Sequence, residues 1–151
     1  MPVKSFDPNC IFCRIVAGEV PASVVYRGDD VMAFMDIRPV NPGHLLVIST
    51  AHAAGLANLP ERVGQRMWVV AQRLAAAQRL SGVRCEGVNL FVADGEAAGQ
   101  DVFHVHIHVL PRFPGDGLRL TGLAYDQRPA PPSRAELDET AGAIRRGLES
   151  P

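Results

Sequence analysis

No apolar run in this chain approaches the roughly 20 residues that a membrane-spanning helix needs. An excess of either charge is also missing. With 15 Lys and Arg against 16 Asp and Glu, the formal net charge is −1, so there is no global electrostatic reason to expect nucleic-acid or membrane binding. The opening segment Met1-Pro2-Val3-Lys4-Ser5-Phe6-Asp7-Pro8 lacks the apolar core of a signal peptide, and the expected location is cytoplasmic. Cysteine is scarce, and 3 is an odd number for a disulfide framework. Two of the three form Cys10-Ile11-Phe12-Cys13, a spacing that in a reducing compartment points to a metal or redox role. There is no internal repeat. What remains is 151 residues, 47% hydrophobic and 21% charged, the profile of one domain with an ordinary core.

Residues 1–9 read as a loose N-terminal tail, and Ile11 to Val16 as a short helix ending at Gly18. Ser23 to Tyr26 and Val31 to Asp36 read as strands joined at Gly28-Asp29-Asp30. A Pro- and Gly-bearing loop then leads into an apolar run, His44 to Ile48, that suits a covered central strand. The clearest helix is Pro60 to Leu80, where Val63, Met67, Val70, Leu74 and Ala77 recur as one apolar stripe. Gly87 to Ala93 reads as a strand, Asp94 to Gln100 as a Gly-rich loop, and Val102 to Leu110 as a strand stopping at Pro111. Residues 113–151 form an arm rich in Gly and Pro and then a helix, Arg134 to Leu148, with Ser133 and Glu136 as a capping box. Strands on either side of one long helix, with no βαβ alternation, predict an α+β fold. An antiparallel sheet of about five strands carries the long helix, with short helices at the two ends.

The most informative segment is His104-Val105-His106-Ile107-His108, which holds three of the five histidines at strict alternation. On a strand they face one side, roughly 6.5–7 Å apart. Histidine serves as nucleophile, acid, base or metal ligand near neutrality. The spacing alone is compatible with a metal site and with a phosphate-cleaving strip. The Gly-rich loop just upstream, with Gly99, Gln100 and Asp101, can offer backbone N–H groups to an anion. By themselves Phe34, Ile37 and Leu46 are core positions.

The run Gly99-Gln100-Asp101-Val102-Phe103-His104-Val105-His106-Ile107-His108-Val109-Leu110-Pro111-Arg112 closely resembles the signature of the histidine triad (HIT) family. The resemblance extends to Cys10 through Ala17, Ala33 through Pro39 and Asn41 through Ile48, so residues 10–112 correspond to a HIT domain. It is strongest to bacterial, Hint-like members with an N-terminal C-x-x-C. The resemblance implies attack on the α-phosphate of a purine nucleoside phosphoramidate or dinucleoside polyphosphate. His106 would be the nucleophile, forming a nucleotidyl-histidine that water hydrolyses. His108 would contact the phosphate or leaving group, and His44 would complete the cluster. Asp36 would accept from the ribose hydroxyls, and Phe34, Ile37 and Leu46, with Ile15, would hold the base. Cys10, Cys13, His52 and His104 would bind a structural zinc, and the chain would form a homodimer that buries Trp68 on the long helix. Two positions depart from the family pattern. Asp101 stands where a phosphate-donating Ser or Thr is common, and Ala93 where an amide is common. They keep open a nucleotide-binding interaction protein with weak catalysis, alongside a nucleotidyl transferase or phosphorylase.

Overall fold

The computed structural model describes residues 5–118 and 130–149. In chain order the elements are α1 (Ile11–Val16), β1 (Val24–Arg27), β2 (Val31–Met35), β3 (Leu45–Ser49), α2 (Glu61–Leu80), β4 (Gly87–Phe91), β5 (His106–Arg112) and α3 (Arg134–Glu149), with single 3₁₀ turns at Leu56–Asn58 and Glu96–Ala98. The five strands form one antiparallel sheet in the order β1-β2-β3-β5-β4, as the α+β reading expects.

Both faces of the central strands are covered, which explains why β2 and β3 read as continuous apolar runs; every residue in them is buried. Val31, Ala33, Met35, Leu45, Val47, Ile107 and Val109 turn to the long helix. There the predicted stripe of α2 buries Val63, Met67, Val70, Leu74 and Ala77. The final helix α3 packs beside α2 and adds Leu137, Ala141 and Ile144 to the same core. The two helices touch closely at Gly147, where a Cβ would lie 2.6 Å from the Ala77 carbonyl oxygen. The opposite face belongs to α1, whose Phe12, Cys13 and Ile15 cover Met32, Phe34, Leu46 and Ile48.

The first three strands differ from the sequence reading by one residue at one or both ends, and the last two by more. β4 ends at Phe91, two residues before Ala93. β5 begins at His106 and runs on through Pro111 to Arg112. Upstream, the backbone bends through residues 102–104, and the Val105 N–H donates to the Ala53 carbonyl at 2.7 Å. His104 therefore lies outside the ladder. Pro111 does not stop the strand because β3 has already ended beside it. Its carbonyl accepts from Asn41 Nδ2 at 2.9 Å on that side, so the missing N–H removes no ladder bond.

Within the segment read as a tail, Ser5 is paired twice with His52. Its carbonyl accepts the His52 N–H at 2.8 Å, and its hydroxyl donates to the His52 carbonyl at 2.7 Å. Where the chain leaves β5, Asp116 accepts from both sides of the Arg112 guanidinium at 2.7 and 3.0 Å, from Asn41, and from the backbone N–H groups of Phe113 and Leu118. These donors hold its carboxyl well below the usual carboxylate range. Much of the arm, residues 119–129, lies outside the described residues.

Candidate functional site

A line of register across the sheet lays out the site. Val24 pairs with Phe34, Phe34 with Leu46, Leu46 with His108, and His108 with Phe91. Directly opposed residues of an antiparallel sheet share a face, so these five side chains make one row on the α1 side. Beside it lies a cavity of about 370 Å³. Of the residues singled out in the sequence, Ile15, Phe34, Asp36, Ile37, Leu46, Asp101, His106 and His108 line it. Gly99 and Gln100 do not. Gly99 takes a left-handed φ of +86° to close the 3₁₀ turn. Gln100 is buried and braces the loop, accepting from the Gly95 N–H and donating to the Ala54 and Val102 carbonyls. His44 is fully buried behind His108.

Hydrogen bonds to the backbone decide which nitrogen of His106 and of His44 carries the proton, and His44 passes the choice on to His108. The His106 Nδ1 lies 2.7 Å from the His104 carbonyl oxygen, an acceptor only, so Nδ1 bears the hydrogen and Nε2 keeps its lone pair. The opposite tautomer holds in His44. Its Nδ1 accepts the Val40 N–H at 3.1 Å, which leaves the hydrogen on Nε2. That Nε2–H donates to His108 Nδ1, with the two nitrogens 3.0 Å apart, and Asp36 Oδ2 lies 3.7 Å from the same Nε2. His108 in turn must carry its hydrogen on Nε2. One ring thus presents a nucleophilic nitrogen and the next a donor. His108 stays neutral: burial, followed by the neighbouring His44 and His106, pushes its pKa from 6.5 down to about 3. Phe91 stacks on it with centroids 4.1 Å apart and planes 7° apart. Phe12 meets the His106 ring edge-on at 5.2 Å.

A second cluster stands where the chain bends before β5. Cys10 Sγ lies 3.4 Å from His104 Nδ1, and Cys13 Sγ lies 3.4 Å from His52 Nδ1 and 3.6 Å from His104 Nδ1. The four ligand atoms all fall within 4.8 Å of one another. A tetrahedral zinc with bonds of ~2.3 Å to sulfur and ~2.0–2.1 Å to nitrogen sets sulfur–nitrogen edges of roughly 3.6 Å, so the donor set fits that ion. His104 is oriented for it, because its Nε2 faces the Ser49 carbonyl at 2.8 Å and Nδ1 turns to the sulfurs. Burial lowers the His104 pKa to about 4, keeping the ring neutral, and raises the Cys13 thiol to about 11. A bound cation reverses the latter effect by favouring thiolate.

Three contributors to the site escaped the sequence reading. Phe91 and Phe12 look like ordinary core aromatics until strand pairing and the α1 docking bring them against the histidines. Arg134 comes from α3, far along the chain, yet it lines the same cavity. Its NH1 donates to Ser23 Oγ at 2.7 Å.

Known proteins resemble this chain in sequence and in fold. The family described as the HIT domain matches residues 17–115. An uncharacterised HIT-like protein of Borreliella burgdorferi is 42% identical over 110 residues, covering 72% of this chain and 79% of that one. A crystal structure of a zinc-bound histidine triad family protein from Mycobacterium smegmatis superposes with a TM-score of 0.81 at 38% identity, over 93% of this chain and 94% of that one. A hypothetical histidine triad nucleotide-binding protein from Sulfolobus tokodaii also gives a TM-score of 0.81, at 26% identity over 93% and 92% of the two chains. The zinc-bound relative and the Cys10, Cys13, His52 and His104 cluster together support zinc in this chain.

Proposed function

This chain belongs to the histidine triad family, and from that premise we propose that it hydrolyses purine nucleoside phosphoramidates or dinucleoside polyphosphates at the α-phosphate. The observation that carries the reading is the backbone-set pair of tautomers, His106 with a free Nε2 lone pair beside His108 with an Nε2 hydrogen. Asp36 accepts the ribose hydroxyls, and Phe34, Leu46, Ile37 and Ile15 hold the base. The His106 Nε2 attacks phosphorus, a P–N bond forms, and the bond to the leaving group breaks. The leaving group departs with the electron pair and takes a proton from solvent at the exposed side where Asp101 lies. As the His106 ring becomes cationic, the His104 carbonyl strengthens its hold on Nδ1–H. His108 donates to a phosphate oxygen throughout and keeps its proton. Water then attacks phosphorus, the P–N electron pair returns to His106 Nε2, and the nucleoside monophosphate leaves as the water's proton passes to solvent.

Zinc at Cys10, Cys13, His52 and His104 is structural, since all four positions are taken by protein. It would fix the His104 backbone whose carbonyl orients His106. A homodimer is part of the reading: Trp68 on α2 is half exposed, and β4 is an edge strand of the sheet.

The test compares wild type with His106→Ala on adenosine and guanosine phosphoramidates and on dinucleoside polyphosphates. The expected result is turnover in wild type, a loss of at least 1,000-fold in the variant, and a nucleotidyl adduct on His106, trapped by denaturation at alkaline pH where the P–N bond survives, in wild type alone. Equal rates in the two proteins on every substrate would sink the assignment.

A further inference from the structure

The register row measures distance from the reacting phosphorus. His108 on β5 marks the phosphate end, Leu46 and Phe34 come next, and Val24 on β1 marks the far end. Three strand spacings separate β5 from β1, roughly 14 Å, comparable with the reach from the phosphate of a nucleotide to the outer edge of its purine. At that far end stands Arg134, the first residue of α3. It lines the same cavity as Phe34 and His106 although it lies beyond residues 17–115, the part matched by the family.

Arg134 is held in place. One N–H goes to Ser23 Oγ at 2.7 Å, and that hydroxyl also donates to Asp138 Oδ1 at 2.7 Å, one turn further along α3. Ser23 is buried and immediately precedes β1. The helix itself is fixed by Arg145, whose NH1 donates to the Val24 carbonyl at 2.6 Å. A guanidinium offers five N–H donors and no acceptor. Guanine presents two adjacent acceptors, O6 and N7, on one edge, whereas adenine sets an amino donor beside N7. A donor-only group at the base end of the slot therefore matches a 6-oxopurine and opposes the adenine amino group.

We infer that Arg134 selects the base, so that the nucleotides taken by this chain are 6-oxopurine ones. The inference rests on the nucleotide reading above and goes beyond it by naming the base and the residue that reads it. Calorimetric titration of the full chain with GMP and with AMP tests it. GMP is expected to bind wild type at least about five-fold more tightly. In Arg134→Ala the preference falls to near parity, and in Arg134→Lys part of it returns. Loosening of α3 alone would weaken both nucleotides alike and leave their ratio unchanged. Equal affinities in wild type, or a ratio untouched by Arg134→Ala, overturn the base assignment while nucleotide binding stands. If neither nucleotide binds, the nucleotide reading fails and this inference fails with it.

Discussion

At the scale of single residues the histidines divide by what the backbone does to each ring. Alternation placed His106 and His108 on one face of a strand, and the structure keeps them there. The same alternation included His104, which the bend at residues 102–104 removes from the ladder. No local pattern reveals that bend, since it depends on the distant Ala53 carbonyl. Phe91 was illegible for a similar reason, because its place over His108 follows from the pairing of β4 with β5. A pH dependence follows from His108. Its folded pKa of about 3 lies below the ordinary 6.5, so between these values the unfolded chain binds a proton that the native chain refuses. Stability contributed by the neutral ring is complete above pH ~6.5 and declines as pH falls toward 3. Urea-unfolding midpoints should therefore drop between pH 7 and pH 5. The drop should be shallower in His108→Asn, and parallel slopes for the two proteins would refute the link.

At the scale of elements, α2 and α3 were the most legible parts. The apolar stripe of α2 is buried as its periodicity required. The capping box of α3 is formed, with the Ser133 N–H donating to Glu136 Oε2 at 2.7 Å and the Glu136 N–H to Ser133 Oγ at 3.2 Å. Periodicity tells which face is buried and not how near two helices come. The contact of Gly147 with Ala77 shows that closeness. A Cβ at 147 meets main chain, which cannot rotate away, so Gly147→Ala should destabilise by about 1–3 kcal/mol despite the better helix propensity of alanine. Denaturant titration measures this, and a neutral or stabilising effect would show that α3 shifts freely. Because α3 carries Arg134, the same variant should also weaken nucleotide binding.

At the scale of the whole molecule, the zinc cluster joins α1, the segment after β3 and the approach to β5, three parts otherwise distant in sequence. Cys10 and Cys13 were recognisable from their spacing. The two histidines came from family resemblance, since nothing local to His52 or His104 ties them to the thiols. Removing the ion should be felt globally. Treatment with a chelator should lower the Tm of wild type by several degrees, and Cys10→Ser should start low and show little further response. An unchanged wild-type Tm after verified zinc loss would mean that packing of Phe12 and Ile15 alone holds α1.

The groups that set the histidine tautomers are the His104 carbonyl and the Val40 N–H. Neither belongs to a side chain, so almost any residue at 104 still supplies the same carbonyl, and any residue except proline at 40 the same N–H. Sequence drift at these two positions can therefore alter metal binding or loop packing while the proton arrangement is inherited intact. Loss of the chemistry has to come through the rings themselves or through a shift of the strand that carries them.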